Sequence, residues 1–315
     1  MKAIVLRQPG NAEVLSYEEV PTPQVRPGWS LMKVKGFGIN RSEIFTRNGW
    51  SPSVKLPRIL GIEGVGMISE TTDTKRLPVG QKVITLMGGL GRQFNGSYAE
   101  YTLVPNEQLY PVTTDLPWAD LAAIPETFFT AYGSLLKLDL QSDDTLLVRG
   151  ATSGVGVAIV KLAKAMGVGS VIGTTRNLAK AAQLKAVGFD QVVQDVDNHL
   201  DLTAVADKGI ELIGPLTMTD TLKAMKKASI LCVTGELGGV WSTDFDPIGS
   251  LPMDGFLTAF SSESITEAKL QALLDIIAVS QIDVTPEKVF DLAHTADAQA
   301  YLDSAHSFGK VVVLN

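Results

Sequence analysis

The hydrophobic pattern changes character along the chain. In roughly the first hundred residues, apolar positions come in short runs broken by proline and glycine. Positions 2–6, 16–20 and 30–37 predict strands, and Pro21, Pro23, Pro27 and Gly28 form a stiff connection that forbids helix. A turn from Gly38 to Asn40 opens a short predicted helix, and the segments 57–68, 78–83 and 96–101 lead into further strands. This stretch predicts a compact β-rich domain.

Farther on, strands and helices alternate. Leu146, Leu147 and Val148 predict a short buried strand, Gly150, Gly154 and Gly156 a tight turn, and 157–166 a helix by its apolar spacing. Next come a predicted strand at 170–174, a helix at 177–187, and a turn into a third strand at 188–193. Positions 209–215 predict a fourth strand with its turn, 219–227 a helix, 229–234 a fifth strand and 255–260 a sixth. That succession is the pattern of a doubly wound α/β sheet. A helix at 265–279 carries Leu270, Leu273 and Ile277 on one face, and 289–293, 297–307 and 310–314 predict strand, helix and a last strand that returns to the first domain.

The glycine-rich turn is the first candidate for chemistry. A helix that starts in small residues offers unpaired N–H groups and its positive dipole end to a pyrophosphate. Ala151, Thr152, Ser153, Gly154, Val155 and Gly156 are the expected cradle, although Ala151, Ser153 and Gly156 occupy the positions of a strict Gly-x-Gly-x-x-Gly. Sites for NAD place an Asp or Glu about 20 residues farther on, against the ribose 2′-hydroxyl. Here Thr175, Arg176 and Asn177 stand there, with Lys180 one turn on. A carboxylate would repel a 2′-phosphate, whereas a hydroxyl, an amide and two cations would bind it, so the expected cofactor is NADPH. Gly235 and Leu237, past the end of the fifth strand, are expected neighbours of the same cofactor.

Composition narrows the field. A chain of 315 residues with 45% hydrophobic residues is long enough for two cored domains. No window approaches the roughly 18 uncharged apolar residues of a membrane span, and the first residues lack a cleavable signal pattern, so a cytoplasmic protein is expected. The single cysteine, Cys232, excludes an internal disulfide or a thiolate-rich zinc site, and His199, His294 and His306 lack ligand spacing, so no metal is expected. A net charge of −7 without a basic block argues against nucleic acid as a partner.

Several motifs in fixed order resemble the medium-chain dehydrogenase/reductase superfamily, in its zinc-independent quinone oxidoreductase-like branch. They are Pro9-Gly10-Asn11-Ala12-Glu13-Val14-Leu15, Gly38-Ile39-Asn40-Arg41-Ser42-Glu43, Gly61-Ile62-Glu63-Gly64, Pro78-Val79-Gly80, Gly96-Ser97-Tyr98-Ala99-Glu100-Tyr101, Thr130-Ala131-Tyr132, the glycine-rich turn and Gly309-Lys310-Val311-Val312-Val313. The resemblance covers essentially the full length. It implies a discontinuous GroES-like catalytic domain, 1–118 with 265–315, and a Rossmann-like NADPH domain, 119–264. It also implies that Thr130, Leu257 and Thr258 lie by the nicotinamide, and that 255–260 can instead pair edge to edge in a homodimer.

Departures from the family pattern refine this expectation. Zinc-dependent relatives carry a Cys where this chain has Asn40 and a His where it has Ile62. Phe45 stands where a tyrosine is common, and Asp195 where a tyrosine often lines the adenosine phosphate. Asn40 is then the first catalytic candidate, orienting a ribose or carbonyl oxygen, and Arg47 a second, cationic one. The expected activity is hydride transfer from NADPH to a small quinone or α,β-unsaturated carbonyl. A 2-enoyl-thioester reductase and a low-turnover NADPH-binding sensor or partner-binding protein are the alternatives.

Overall fold

The computed structural model describes residues 1–315, which divide into two compact units. The first comprises residues 1–127, 263–274 and 284–315, and the second residues 128–262 and 275–283.

The first unit starts with β1 (Lys2–Leu6), β2 (Leu15–Glu19) and β3 (Trp29–Gly38), followed by helix α1 (Arg41–Arg47). It continues with β4 (Arg58–Ile59), β5 (Glu63–Glu70), β6 (Lys82–Leu86), β7 (Tyr101–Pro105), β8 (Tyr110–Pro111) and helix α2 (Trp118–Ala122). Helix α3 (Pro125–Leu135) starts in this unit and runs on into the second.

The second unit holds β9 (Thr145–Arg149), α4 (Gly154–Ala165), β10 (Ser170–Thr175), α5 (Ala181–Ala186), β11 (Gln191–Val196), β12 (His199–Leu200) and β13 (Ala206–Glu211). After these come α6 (Met218–Lys223), β14 (Met225–Val233), α7 (Pro247–Ser250) and β15 (Phe256–Ala259). Helix α8 (Glu267–Val279) is shared by the units, and β16 (Lys288–Asp291), α9 (Thr295–Asp303) and β17 (Val311–Leu314) complete the first.

In the first unit, β2-β1-β4 form a small antiparallel sheet, and a larger sheet runs β16-β17-β3-β5-β6-β8 with β7 also on β3. The ten-residue β3 organises it. Residues 29–33 pair with β7, Gly36 to Gly38 pair with β17, and β5 lines the opposite edge. The last turn of β3, the start of β5 and the approach to β17 are thereby brought to one place. Beneath lies a core that includes Ile4, Leu6, Met32, Phe37, Tyr98 and Val313.

The second unit is a seven-stranded sheet in the order β12-β11-β10-β9-β13-β14-β15, parallel except for β12. Strand β9 is buried on both faces, as its unbroken apolar run requires of a central parallel strand. The expected α/β architecture, a β-rich GroES-like part with a doubly wound parallel sheet, is the one observed.

Several element boundaries differ from expectation. The predicted helix 219–227 ends at Lys223, because the Ala224 carbonyl accepts Val205 and Ala206 N–H groups and Met225 onward pairs with β13. Sheet pairing overrides local helical preference there. The predicted strand 289–293 gives way after Asp291, whose carboxylate accepts the His294 N–H at 3.1 Å and starts a helical turn. Helix α9 therefore begins earlier and ends earlier than predicted.

By compactness the units divide at 127/128 within α3, at 262/263, at 274/275 within α8 and at 283/284. Residues 275–283 join the second unit, where Lys161 Nζ on α4 holds the Asp283 carbonyl at 2.6 Å and its carboxylate at 3.1 Å.

Candidate functional site

In the second unit the expected cofactor residues gather at the carboxyl ends of the parallel strands. Gly150 follows β9 with φ of +88°, a conformation that a Cβ disfavours. Ser153 caps α4, donating to the Gly150 carbonyl at 2.8 Å and accepting the Gly156 N–H at 3.1 Å. A Cβ on Gly156 would stand 2.6 Å from the Ala151 carbonyl oxygen and 2.7 Å from Ala151 Cα, so only glycine lets the helix start this close to the turn. Gly154 and Val155 N–H groups find no protein acceptor, as a cradle for a pyrophosphate requires.

Neighbouring strand ends close on the same turn. Leu237 approaches Gly150, its N–H bonds the Leu212 carbonyl at 3.1 Å, and a side chain on Gly235 would collide with that same carbonyl. Thr130 lies on α3, which is tied to the end of β14 through Ser134: its hydroxyl donates to the Thr130 carbonyl and meets Thr234 Oγ1 at 2.9 Å. Leu257 and Thr258 pair with Leu231 and Cys232 on the edge strand β15, half-buried.

At the end of β10, Thr175 is buried, and its hydroxyl donates to the Asn177 carbonyl and accepts the Asn177 N–H, both at 3.1 Å. The Asn177 carboxamide oxygen accepts the Ala179 N–H. These two residues shape the turn at the end of β10. Arg176 is exposed and enters no ion pair, and Lys180 is half a turn to one turn beyond it, also exposed.

Sequence reasoning missed the setting of Asp195. Arg149, the last residue of β9, is wholly buried, and its Nε donates to Asp195 Oδ2 at 2.9 Å. Its Nη1 donates to Asp220 Oδ2 at 2.9 Å, Thr221 Oγ1 at 3.0 Å and the Thr217 carbonyl at 3.3 Å. Asp220 also accepts the Leu200 N–H and meets His199, pinning the hairpin formed by β11 and β12, whose two turn residues Asp197 and Asn198 have positive φ. The charge of Asp195 is thus answered inside the protein. Nearby Glu211, buried at the end of β13, accepts from Ile213 N, Gly214 N and Thr221, and burial pushes its carboxyl up.

The first unit brings together a second set. Asn40 caps α1: its N–H donates to Glu43 Oε2 at 2.7 Å. Its side chain turns instead to Lys310 and Glu63, with Lys310 Nζ donating to Asn40 Oδ1 at 2.7 Å and Asn40 Nδ2 donating to Glu63 Oε1 at 2.7 Å. Because lysine can only donate and a carboxylate only accept, the amide orientation is fixed. Lys310 Nζ also donates to Glu63 Oε1 at 2.6 Å, and the other Glu63 oxygen accepts the Glu126 N–H at 2.7 Å.

Behind this cluster, Glu43 accepts from Ile62 N at 2.8 Å and from Tyr98 Oη at 3.0 Å. Burial pushes the Glu43 carboxyl up to about 7, and Tyr98 well above its usual range. Gln299 links Tyr98 to Arg47.

Arg47 is therefore a correction. Its Nε donates to the Gly10 carbonyl at 3.1 Å, its Nη1 to Gln299 at 2.8 Å and its Nη2 to Asn48 at 3.3 Å, and the residue is 3% exposed. The buried guanidinium ties α1 to α9, with Asp303 Oδ2 3.8 Å from Nη2 as its counter-charge. Phe45 stacks on Trp50 at 5.4 Å.

Comparison with known proteins places this geometry. Residues 26–114 match the family model of the alcohol dehydrogenase GroES-like domain, and residues 187–313 that of a zinc-binding dehydrogenase. The chain belongs to the medium-chain dehydrogenase/reductase superfamily. Within it, this member is quinone oxidoreductase-like: it is 27% identical to the rat quinone oxidoreductase over 99% of this chain and 96% of that one. It is equally 27% identical to the chloroplastic NADPH-dependent alkenal/one oxidoreductase of Arabidopsis thaliana, covering 99% of this chain and 79% of the relative. A crystal structure of an NAD-dependent alcohol dehydrogenase superposes with a TM-score of 0.81 at 27% identity, covering 100% of both chains.

The superfamily fold implies a nicotinamide cofactor, and the turn after β9 suits one: its glycines leave room and its N–H groups are unspent. A catalytic zinc is a poor fit. At the two ligand positions this member offers an amide committed at both ends, Asn40, and a hydrocarbon, Ile62, with the Lys310 ammonium alongside. No helix is long and apolar enough to cross a membrane.

Proposed function

We propose that this superfamily member is an NADPH-dependent oxidoreductase that passes hydride, without zinc, to a quinone or an α,β-unsaturated carbonyl. The observation that carries it is the end of β10. Arg176 stands exposed there with no carboxylate in the ribose position, and the one acid that would oppose a 2′-phosphate, Asp195, is bound to Arg149 at 2.9 Å. The names of the rat and Arabidopsis relatives support the same acceptor class and, for the plant enzyme, the same cofactor.

The bound cofactor supplies the hydride. Residues 151–156 hold its pyrophosphate, and Arg176, the amide N–H groups of Asn177, and Lys180 hold the 2′-phosphate. Thr130, Gly235, Leu237, Leu257 and Thr258 line the remainder, and Asn40 orients an oxygen of the ribose or the acceptor. The exposed edge of β15, with Phe256 64% exposed, supports pairing as a homodimer, and the cytoplasm is the proposed setting.

The test is NADPH and NADH affinity, and oxidation with a panel of quinones and enones, for the wild type and Arg176→Ala. Loss of charge-assisted bonds worth about 1.5 to 3 kcal/mol lowers NADPH affinity roughly ten- to hundredfold and leaves NADH unchanged. An equal effect on both nucleotides refutes the cofactor assignment. Tight NADPH binding with no acceptor turned over refutes the reductase and favours the sensor.

A further inference from the structure

In the strand order β11-β10-β9-β13, Arg149 ends β9, Asp195 lies near the end of β11 and Glu211 ends β13. The wholly buried guanidinium ties these strand ends together. Its Nε holds Asp195 at 2.9 Å, and its Nη1 holds Asp220, which fastens the β11–β12 hairpin again through the Leu200 N–H. The same Nη1 donates to the Thr217 carbonyl, at the far end of the turn between β13 and α6. Thr221 Oγ1 accepts from Nη1 and donates to Glu211, whose carboxylate takes the Ile213 and Gly214 N–H groups at the near end. The Arg149 carbonyl accepts the Leu212 N–H as well, at 3.2 Å.

Stability alone is a weak reason for such a cluster. Three of its buried polar atoms, Arg149 Nη2, Asp195 Oδ1 and Thr217 Oγ1, have no hydrogen-bond partner in the protein, and a buried ionic cluster seldom outperforms apolar packing. What the arrangement fixes is the spacing between the β11–β12 hairpin and the turn at 212–217. The end of β10 lies between them, since β10 pairs with β11 on one side and β9 on the other. In a doubly wound sheet the adenosine ribose of a dinucleotide meets the end of the second strand, here β10. The base it carries is then flanked by the two segments that Arg149 holds.

Resting on the cofactor reading above, we propose that Arg149 is a positioning residue for the adenosine half of the nucleotide. It keeps the β11–β12 hairpin and the 212–217 turn at the spacing that admits the adenine ring, and, being wholly buried, it touches no ligand itself. None of its side-chain bonds goes to α3, β14 or β15, where the nicotinamide half is expected. That half is independent of it.

The experiment titrates ADP-ribose and 2′-phospho-ADP-ribose, the adenosine half without and with the 2′-phosphate, into the wild type, Arg149→Met and Asp195→Asn, with folding followed by circular dichroism. Arg149→Met loses roughly tenfold in affinity for both, by the same factor, which is what one hydrogen bond to a charged group is worth. Asp195→Asn keeps the side-chain shape and the Asp220 hold on the hairpin, and loses roughly fivefold. At saturation with NADPH the nicotinamide fluorescence matches that of the wild type in both variants, although more NADPH is needed to reach it.

An affinity for ADP-ribose within twofold of wild type in folded Arg149→Met overturns the proposal; should that variant fail to fold, the same result in Asp195→Asn overturns it. Nicotinamide fluorescence altered at saturation also overturns it, because the whole unit is then disturbed. A wild type that binds ADP-ribose as tightly as 2′-phospho-ADP-ribose, with the tenfold loss still seen in Arg149→Met, defeats the NADPH assignment and leaves Arg149 in its role. One that prefers the 2′-phosphate, with no loss in Arg149→Met, keeps that assignment and defeats the role alone.

Discussion

The buried carboxyl of Glu43 makes the stability of the first unit depend on pH. Burial is the main cause of its rise from 4.5 to about 7, with Glu63 adding to it, while N–H bonds from Ile62 and Asn40 and the Lys310 charge pull the other way. Between those two values the folded chain holds a proton that the unfolded chain has released, so stability falls as pH rises. At about 1.4 kcal/mol per pKa unit, the rise is worth roughly 3 kcal/mol, present in full below the unfolded value and lost by the time pH passes the folded one.

Two other groups act in the same direction. His294 is raised by Asp291, and Glu211 is raised by burial, so each also loses stability with rising pH. The difference between wild type and Glu43→Gln removes both. Glutamine does not titrate, and its misplaced amide donors add only a constant penalty. Urea unfolding at about pH 5, 6, 7 and 8, read by tryptophan fluorescence, should show the wild type losing roughly 2 to 3 kcal/mol relative to Glu43→Gln across the series. Parallel curves for the two proteins would refute the reasoning.

Two further outcomes are expected. Gly156→Ala places a methyl 2.6 Å from the Ala151 carbonyl, where backbone must move, costing about 1 to 3 kcal/mol and weakening NADPH binding at least tenfold; denaturant midpoints and fluorescence titration measure both. Arg47→Ala strands the Gln299 oxygen and leaves a cavity between α1 and α9, lowering stability by about 2 to 4 kcal/mol. The folded fraction should keep its kcat, so a hundredfold fall there would restore Arg47 as a catalytic group.

What the sequence reveals follows the range of the interactions. The strand, turn and helix from Thr145 to Ala165 are legible because apolar run, glycines and Ser153 cap lie within a few residues of one another. Asn40 is legible as a position, through the motif around it. Its partners are not, since Lys310 lies 270 residues from Asn40 and 247 from Glu63, and only the meeting of β3, β5 and β17 joins them. The end of α6 fails for the same reason: Met225 looks helical until it pairs with Ala206 of β13. Arg47 errs oppositely, because a cation near a catalytic motif carries no mark of the Gln299 that absorbs it.

Asp195 and Arg149 show how such long-range information can still leave a local trace. An arginine directly after Leu146, Leu147 and Val148, at the end of a strand buried on both faces, cannot stand alone. An unpaired buried charge costs several kcal/mol, so the run itself demands acids from elsewhere in the sheet. Asp195, 46 residues on, and Asp220, 71 residues on, answer that demand. Taken alone, an acid where a tyrosine is common argues against a 2′-phosphate nearby. Taken with Arg149 it is a counter-charge, and the selectivity for phosphate passes to Arg176, the cation at the end of β10 that no internal acid has claimed.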